Sequence, residues 1–267
     1  MVSLEVLTQT FEKLWPIQSS DDWDKPGLAF GSIHQEISKI LLTVDVTSAV
    51  LEEAIDTGAQ LVLAHHPSLL RGVNQLSEQS IKGKLAALAI RNNLAVFSAH
   101  TNADKAEVGT AQALAAAIDV RGFAPLDAES GHGFVAELQS PETLISFSTR
   151  LAKLLPSVAA GIKAAGDPEM LVKTIGVAPG AGDSFLGSAL SAGVDVFITS
   201  DLRHHPAQDF MESNAIGKRV ALIDISHWAA ESLWLPFAQK ELMKHHPEVE
   251  IVISEIRTDP WDFAVMQ

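Results

Sequence analysis

Two histidines stand side by side, His65-His66, at the end of the apolar run Leu61-Val62-Leu63-Ala64 and directly before Pro67. Proline has no backbone N–H to continue a sheet ladder, so the run reads as a short buried strand that stops at the pair. Adjacent residues on a strand point to opposite faces, so two neighbouring imidazoles can serve two different centres. Further ligand-type residues follow similar apolar runs: His100 and Asp104 after 94–98, and His227 and Glu231 after 220–223. At i and i+4 on a helix, His227 and Glu231 share one face and form a natural chelating pair, with the glutamate a ligand or a general base. The two oxygens of Asp104 could bridge two metals. Plainer readings exist for each segment: Asp104 as the N-cap of a helix near 109–118, and His227–Glu231 as a surface pair. Taken jointly, the three segments point to a metal site, with room for two metals.

The elements that must position these residues follow from the hydrophobic pattern. Residues 4–15 carry Leu4, Leu7, Phe11, Leu14 and Trp15 at helical spacing. A polar loop follows, and 40–46 is an apolar strand interrupted only by Thr43 and Asp45. Thr47 or Ser48 can cap the next helix, which ends near Gly58. Strand 61–64, a helix over about 80–92 and strand 94–98 complete a strand–helix alternation of the kind that builds an α/β sheet with much parallel pairing. Beyond it, Gly131-His132-Gly133 opens a strand at 134–138, and Ser140-Pro141-Glu142 predicts a helix start. Strand 173–178, a turn at 179–184, a helix to Gly193 and strand 194–199 repeat the earlier scheme, and Asp201 and His204-His205-Pro206 follow.

The two halves echo one another. Each has a helix, a glycine, an apolar strand and then His-His-Pro, with a four-residue insertion in the second; each then has a strand leading to a histidine followed four residues later by an acid. An internal duplication accounts for this. Asp201, His204 and His205 could line the same cleft as proton shuttles. His245-His246-Pro247, near a helix end among charged residues, reads as surface. The turn Gly180-Ala181-Gly182 lacks the Lys-Ser/Thr of a phosphate-binding loop and reads as a strand-to-helix connection.

Composition narrows the class. The chain has 267 residues and no cysteine, which excludes disulfides, thiolate ligands and cysteine nucleophiles and is compatible with a cytoplasmic location. Any metal is then held by His, Asp and Glu, which suits zinc, manganese, iron or nickel. The net charge of −14 argues against a large nucleic-acid footprint. No apolar run approaches the roughly 18–20 residues that span a bilayer, and the first residues lack the basic segment of a secretory signal.

Trp23-Asp24-x-x-Gly27-Leu28-x-x-Gly31, Ala64-His65-His66-Pro67, His100-Thr101-Asn102-x-Asp104, Gly180-Ala181-Gly182, Ile198-Thr199-Ser200-Asp201 and His227-x-x-x-Glu231 occur in an order that resembles the GTP cyclohydrolase I type 2 homologues, or NIF-three-like proteins. The resemblance runs from about residue 20 to Asp259-Pro260-Trp261. It departs at Lys25-Pro26, where Asn-Val is expected, and at Ser200, where glycine is expected. It implies an α/β fold of two intertwined, duplicated halves with mixed, largely parallel sheets, at 1–126 and 127–267, without the long inserted domain of some members. It further implies a ring-shaped homohexamer, a trimer of dimers, with two divalent metal ions per subunit. Carried over by motif, the ligands are His65, His66, Asp104, His227 and Glu231. His100, His205 and Glu231 are then the candidates for proton transfer, and a nucleotide is the implied small-molecule substrate. A non-catalytic metal-binding scaffold and a general nucleotide or phosphodiester hydrolase are the alternatives.

Overall fold

The computed structural model describes residues 1–213 and 219–265. The chain sorts into two units, Met1–Gly109 with Trp234–Thr258, and Thr110–Leu233 with the closing residues from Asp259. The grouping differs from a division between 126 and 127. The helix after Gly109 belongs to the second unit, and 234–258 returns to the first.

The first unit contains β1 (Val2–Ser3), α1 (Leu4–Leu14), β2 (Gly27–Phe30), β3 (Glu36–Ile37), β4 (Lys39–Thr43), α2 (Ser48–Asp56), β5 (Leu61–Ala64), α3 (Ile81–Arg91), β6 (Ala95–Ser98) and α4 (Thr101–Asp104). It is completed by the returning α10 (Trp234–His245) and β13 (Glu250–Ile253). Ser3, Thr47 and Ser80 cap α1, α2 and α3, each side chain accepting from a backbone N–H three residues on. The main sheet has the order β13-β4-β5-β6-β2, parallel throughout except for β2 against β6. Both faces are covered, as near-continuous apolar strands require. Leu41, Val62 and Val96 pack with Val50, Leu51 and Ala54 of α2 and Leu85, Ala86 and Ala89 of α3. On the other face Phe11 of α1 meets Phe97, ring centroids 4.9 Å apart. Each fully buried Val, Leu or Phe among them contributes roughly 1.5–3 kcal/mol.

The second unit contains α5 (Thr110–Ile118), β7 (Val120–Pro125), β8 (Phe134–Thr143), α6 (Leu144–Leu154), β9 (Lys163–Ala165), β10 (Leu171–Ala181), α7 (Leu186–Ala192), β11 (Val196–Ser200), α8 (His204–Ser213), β12 (Ala221–Ile225) and α9 (His227–Ser232). Its sheet has the order β7-β8-β10-β11-β12-β9, with β10, β11 and β12 parallel and the outer strands antiparallel. The first unit has the same motif: three parallel strands joined by helices, with an antiparallel strand beside the third. Isoleucines 175, 198, 223 and 225 pack with α5, α6 and α9 on one face. Phe197 and Leu222 pack with Leu186, Ala189 and Phe210 on the other.

Two local expectations fail for physical reasons. Ser140-Pro141-Glu142 does not start a helix: β8 continues to Thr143, which caps α6 by accepting from Ser146 N. The ladder to β10 shifts register between Glu137 and Glu142, so Pro141 lies in the irregularity where no N–H is required. His246 is not on the surface either. It is buried, with Nε2 2.8 Å from Thr10 Oγ1 of α1, whereas His245 is exposed. Among the described residues no helix is long and apolar enough to cross a membrane.

Candidate metal centre

Strand register assembles the first donor set. Thr43, Ala64 and Ser98 are level at the C-terminal ends of β4, β5 and β6. Backbone bonds carry on past the strand ends, from His65 N to the Thr43 carbonyl, His66 N to the Val44 carbonyl and Ala99 N to the Ala64 carbonyl. The contacts follow from that order. His65 Nδ1 donates to the Ala99 carbonyl at 2.9 Å, and His66 Nδ1 donates to Asp45 Oδ1 at 2.7 Å. His100 Nδ1 donates to Asp24 Oδ1 at 2.9 Å. Each acceptor is an oxygen without a proton to give, so a proton is on Nδ1, and Nε2 is the atom each ring could offer to a metal. One ligand atom from each of His65, His66 and His100 lies within 4.8 Å of the others. Asp104, four residues beyond His100, brings Oδ1 to 3.6 Å from His65 Nε2.

The supports of this set are built into the same unit. Asp45 also accepts from Thr258 Oγ1 at 2.6 Å, so the returning C-terminal segment steadies the carboxylate that orients His66. Asn102 accepts from His100 N and donates to the Trp15 carbonyl, which ties the His100 backbone to the end of α1. His65 is fully buried, its ring 5.6 Å from that of Trp234.

Asp24 has no exposed side-chain surface. Burial alone would raise its pKa, but hydrogen bonds from His100 and Thr101 outweigh that and bring it to about 2. A depressed carboxylate contributes stability that is present above its unfolded value near 3.8 and lost as pH falls toward 2. At 1.36 kcal/mol per unit, the contribution is about 2 kcal/mol. Asp24→Asn is therefore expected to unfold about 2 kcal/mol more easily than wild type in denaturant titrations above pH 4. The difference should close as pH falls toward 2.

The second donor set lies at the matching edge of the second unit. Ser200 and Ile225 are level at the ends of β11 and β12. His227 opens α9, which Ser226 caps while donating to Asp259 Oδ2 at 2.7 Å. Glu231, one turn on, is 2% exposed and holds Oε1 2.8 Å from His227 Nε2. His227 Nδ1 donates to Asp201 Oδ2 at 2.7 Å, and Asp201 adopts a φ of +56°, strained for a residue with a side chain. Burial opposes charge on His227, but Glu231 and Asp201 on its two sides outweigh burial and hold its pKa well above the ordinary value. Two carboxylates flanking one imidazole make a position whose electrostatics suit a cation.

Gly180 leaves the space this pair occupies. Its φ is +79°, and a Cβ built there would lie 3.0 Å from Glu231 Oε1 and 3.5 Å from His227 Nε2. The turn that follows is a strand-to-helix connection, as expected: β10 runs to Ala181, and a short 3-10 turn, Asp183–Phe185, leads into α7. His204 and His205 stand exposed at the start of α8, with their rings against each other. Neither is among the donors that gather among the described residues. Asp201 acts as the orienting partner of His227 rather than standing with them.

A family model described as Duf34/NIF3 (NGG1p interacting factor 3) matches residues 2–260, and the chain belongs to that family. A Streptomyces coelicolor protein named "GTP cyclohydrolase 1 type 2 homolog" is 38% identical, over 96% of this chain and 92% of its own length. A Drosophila melanogaster protein named "NIF3-like protein 1" is 26% identical, over 96% and 88%. Among solved structures, a Bacillus cereus protein related to NIF3 superposes with a TM-score of 0.91 at 20% identity, covering 99% of this chain and 100% of that one. Reduced HcgD from Methanocaldococcus jannaschii gives 0.79 at 21%, covering 96% and 98%.

Proposed function

We propose that this chain is a divalent-metal-dependent hydrolase that opens the purine ring of GTP or a related nucleotide. In this reading two ions per subunit are held by His65, His66, Asp104, His227 and Glu231, and the enzyme works as a homohexamer in the cytoplasm. The observation that carries it is the state of the histidines. His65, His66, His100 and His227 all give Nδ1 to an oxygen acceptor, three of the four to carboxylates, which leaves Nε2 as the ring atom for a metal, as in metal-ligating imidazoles. The space left by Gly180 fits the same purpose. The names carried by relatives favour a cyclohydrolase over general phosphodiester hydrolysis.

Bound divalent cations supply Lewis acidity and lower the pKa of water toward neutrality. The residues of this chain do the rest. Asp24, Asp45 and Asp201 fix the tautomers of His100, His66 and His227. Glu231 and Asp104 supply the negative charge that balances the cations. His100, held by Asp24 and beside the rings of His65 and His66, moves a proton between solvent and the opening ring. Two waters break the two C–N bonds at the outer carbon of the imidazole ring and release it as formate; rearrangement of the ribose and closure of its carbons onto the freed diamine returns one water and leaves a dihydropterin triphosphate, so the net reaction consumes one water. Protein loaded with Mn or Zn is expected to release one formate per GTP consumed. Absence of formate from protein with verified metal would exclude the GTP reading.

A further inference from the structure

The geometry points to Trp23 as the stacking surface for the planar base of the substrate, a specificity-determining residue beside the His65–His66–His100 set. This rests on the nucleotide reading above and adds to it the residue that recognises the base.

Trp23 is 59% exposed, although an indole carries one of the largest apolar surfaces of any side chain. A single exposed aromatic is ordinary on a protein surface. Here the backbone on both sides is fixed. Asp21 N donates to Thr101 Oγ1 at 2.9 Å, and Lys105 Nζ reaches Asp21 Oδ1 at 2.5 Å. Asp24 N donates back to the Asp21 carbonyl at 2.9 Å. The buried Asp24 carboxylate accepts from Lys25 N at 2.7 Å, from Thr101 N at 3.1 Å and from Thr101 Oγ1 at 2.6 Å. Asp24 is thus anchored inward while the next residue back is left outside.

The outward indole is not remote from the chemistry. Its ring centroid is 5.8 Å from that of His100, with the planes at 82°. One carboxylate therefore does two things: it sets the tautomer of His100 and holds the turn that carries Trp23 against the same imidazole. A rigid, exposed aromatic held edge-to-face against a candidate proton-transfer group is pre-organised for a flat heteroaromatic ring. Stacking of this kind accepts any base, because every base offers a π face. Trp23 then selects nucleotides over non-aromatic phosphate esters.

The test is equilibrium binding of GTP and of inorganic triphosphate to the metal-loaded protein, in wild type, Trp23→Ala and Trp23→Phe. Removal of one stacked base contact typically weakens binding about tenfold or more. Trp23→Ala is expected to bind GTP at least about tenfold more weakly, and Trp23→Phe to recover most of that loss, because phenylalanine keeps a stacking face. Triphosphate, which has no base, is expected to bind all three alike. Equal GTP affinity in wild type and Trp23→Ala would overturn the stacking role alone. An equal loss for GTP and triphosphate would also overturn it, by showing a general disturbance of the loop. Failure of wild type to bind GTP at all would instead overturn the nucleotide reading on which the role rests.

Discussion

Glu231→Gln is expected to fold and to release formate from GTP at least about 10³-fold more slowly than wild type, with metal content reduced in step. The substitution keeps the size of an α9 side chain that is 2% exposed, so the packing around it is preserved. What it removes is the negative charge 2.8 Å from His227 Nε2. An amide offers one neutral acceptor where the carboxylate offers an anionic oxygen to a cation. Circular dichroism separates a folded, inactive protein from an unfolded one. Activity of Glu231→Gln near that of wild type would remove Glu231 from the ligand set.

Gly180→Ala is expected to weaken metal binding about 10- to 100-fold, the size of effect seen when the surroundings of a ligand are altered without touching the ligand itself. Two causes act together. A φ of +79° is costly for any residue with a Cβ, by roughly 1–2 kcal/mol. The added methyl would also press on Glu231 Oε1 at 3.0 Å, so the carboxylate must move off the His227 side of the site. Metal titration by calorimetry reads the change. An affinity equal to that of wild type would show that the approach of β10 to the His227–Glu231 pair is incidental.

The strand–helix alternation was legible because its signals are local. Thr47 caps α2 as expected, accepting from Val50 N at 3.2 Å, and Gly193 ends α7 in the left-handed conformation. The histidines at the strand ends were legible for the same reason: an apolar run stopped by proline announces itself. The partners that orient them were not. Asp45 lies 21 residues before His66, and Asp24 lies 76 before His100. The pairing of β4 with β5 makes Asp45 and His66 neighbours, and that of β2 with β6 does the same for Asp24 and His100, although Asp45 could have been found by setting the C-terminal ends of β4 and β5 level. Asp201 was visible as a candidate, but its bond to His227 depends on the pairing of β11 with β12. Pro141 misled because a proline after serine resembles a helix start, and the bulge that accommodates it is fixed by β10, some 30 residues away. The pairing of β13 with β4, across most of the chain, carries no local signal at all.

The central claim is the proposal that His65, His66, Asp104, His227 and Glu231 serve as ligands to divalent metal. Metal content per chain, measured after equilibration with Mn or Zn and removal of free ions, tests it most directly when wild type is set beside the His65→Ala/His227→Ala double variant. The account predicts two ions per chain in wild type and near-complete loss in the folded variant. Retention of the full metal content by that variant, or a wild-type protein that holds none, would contradict it.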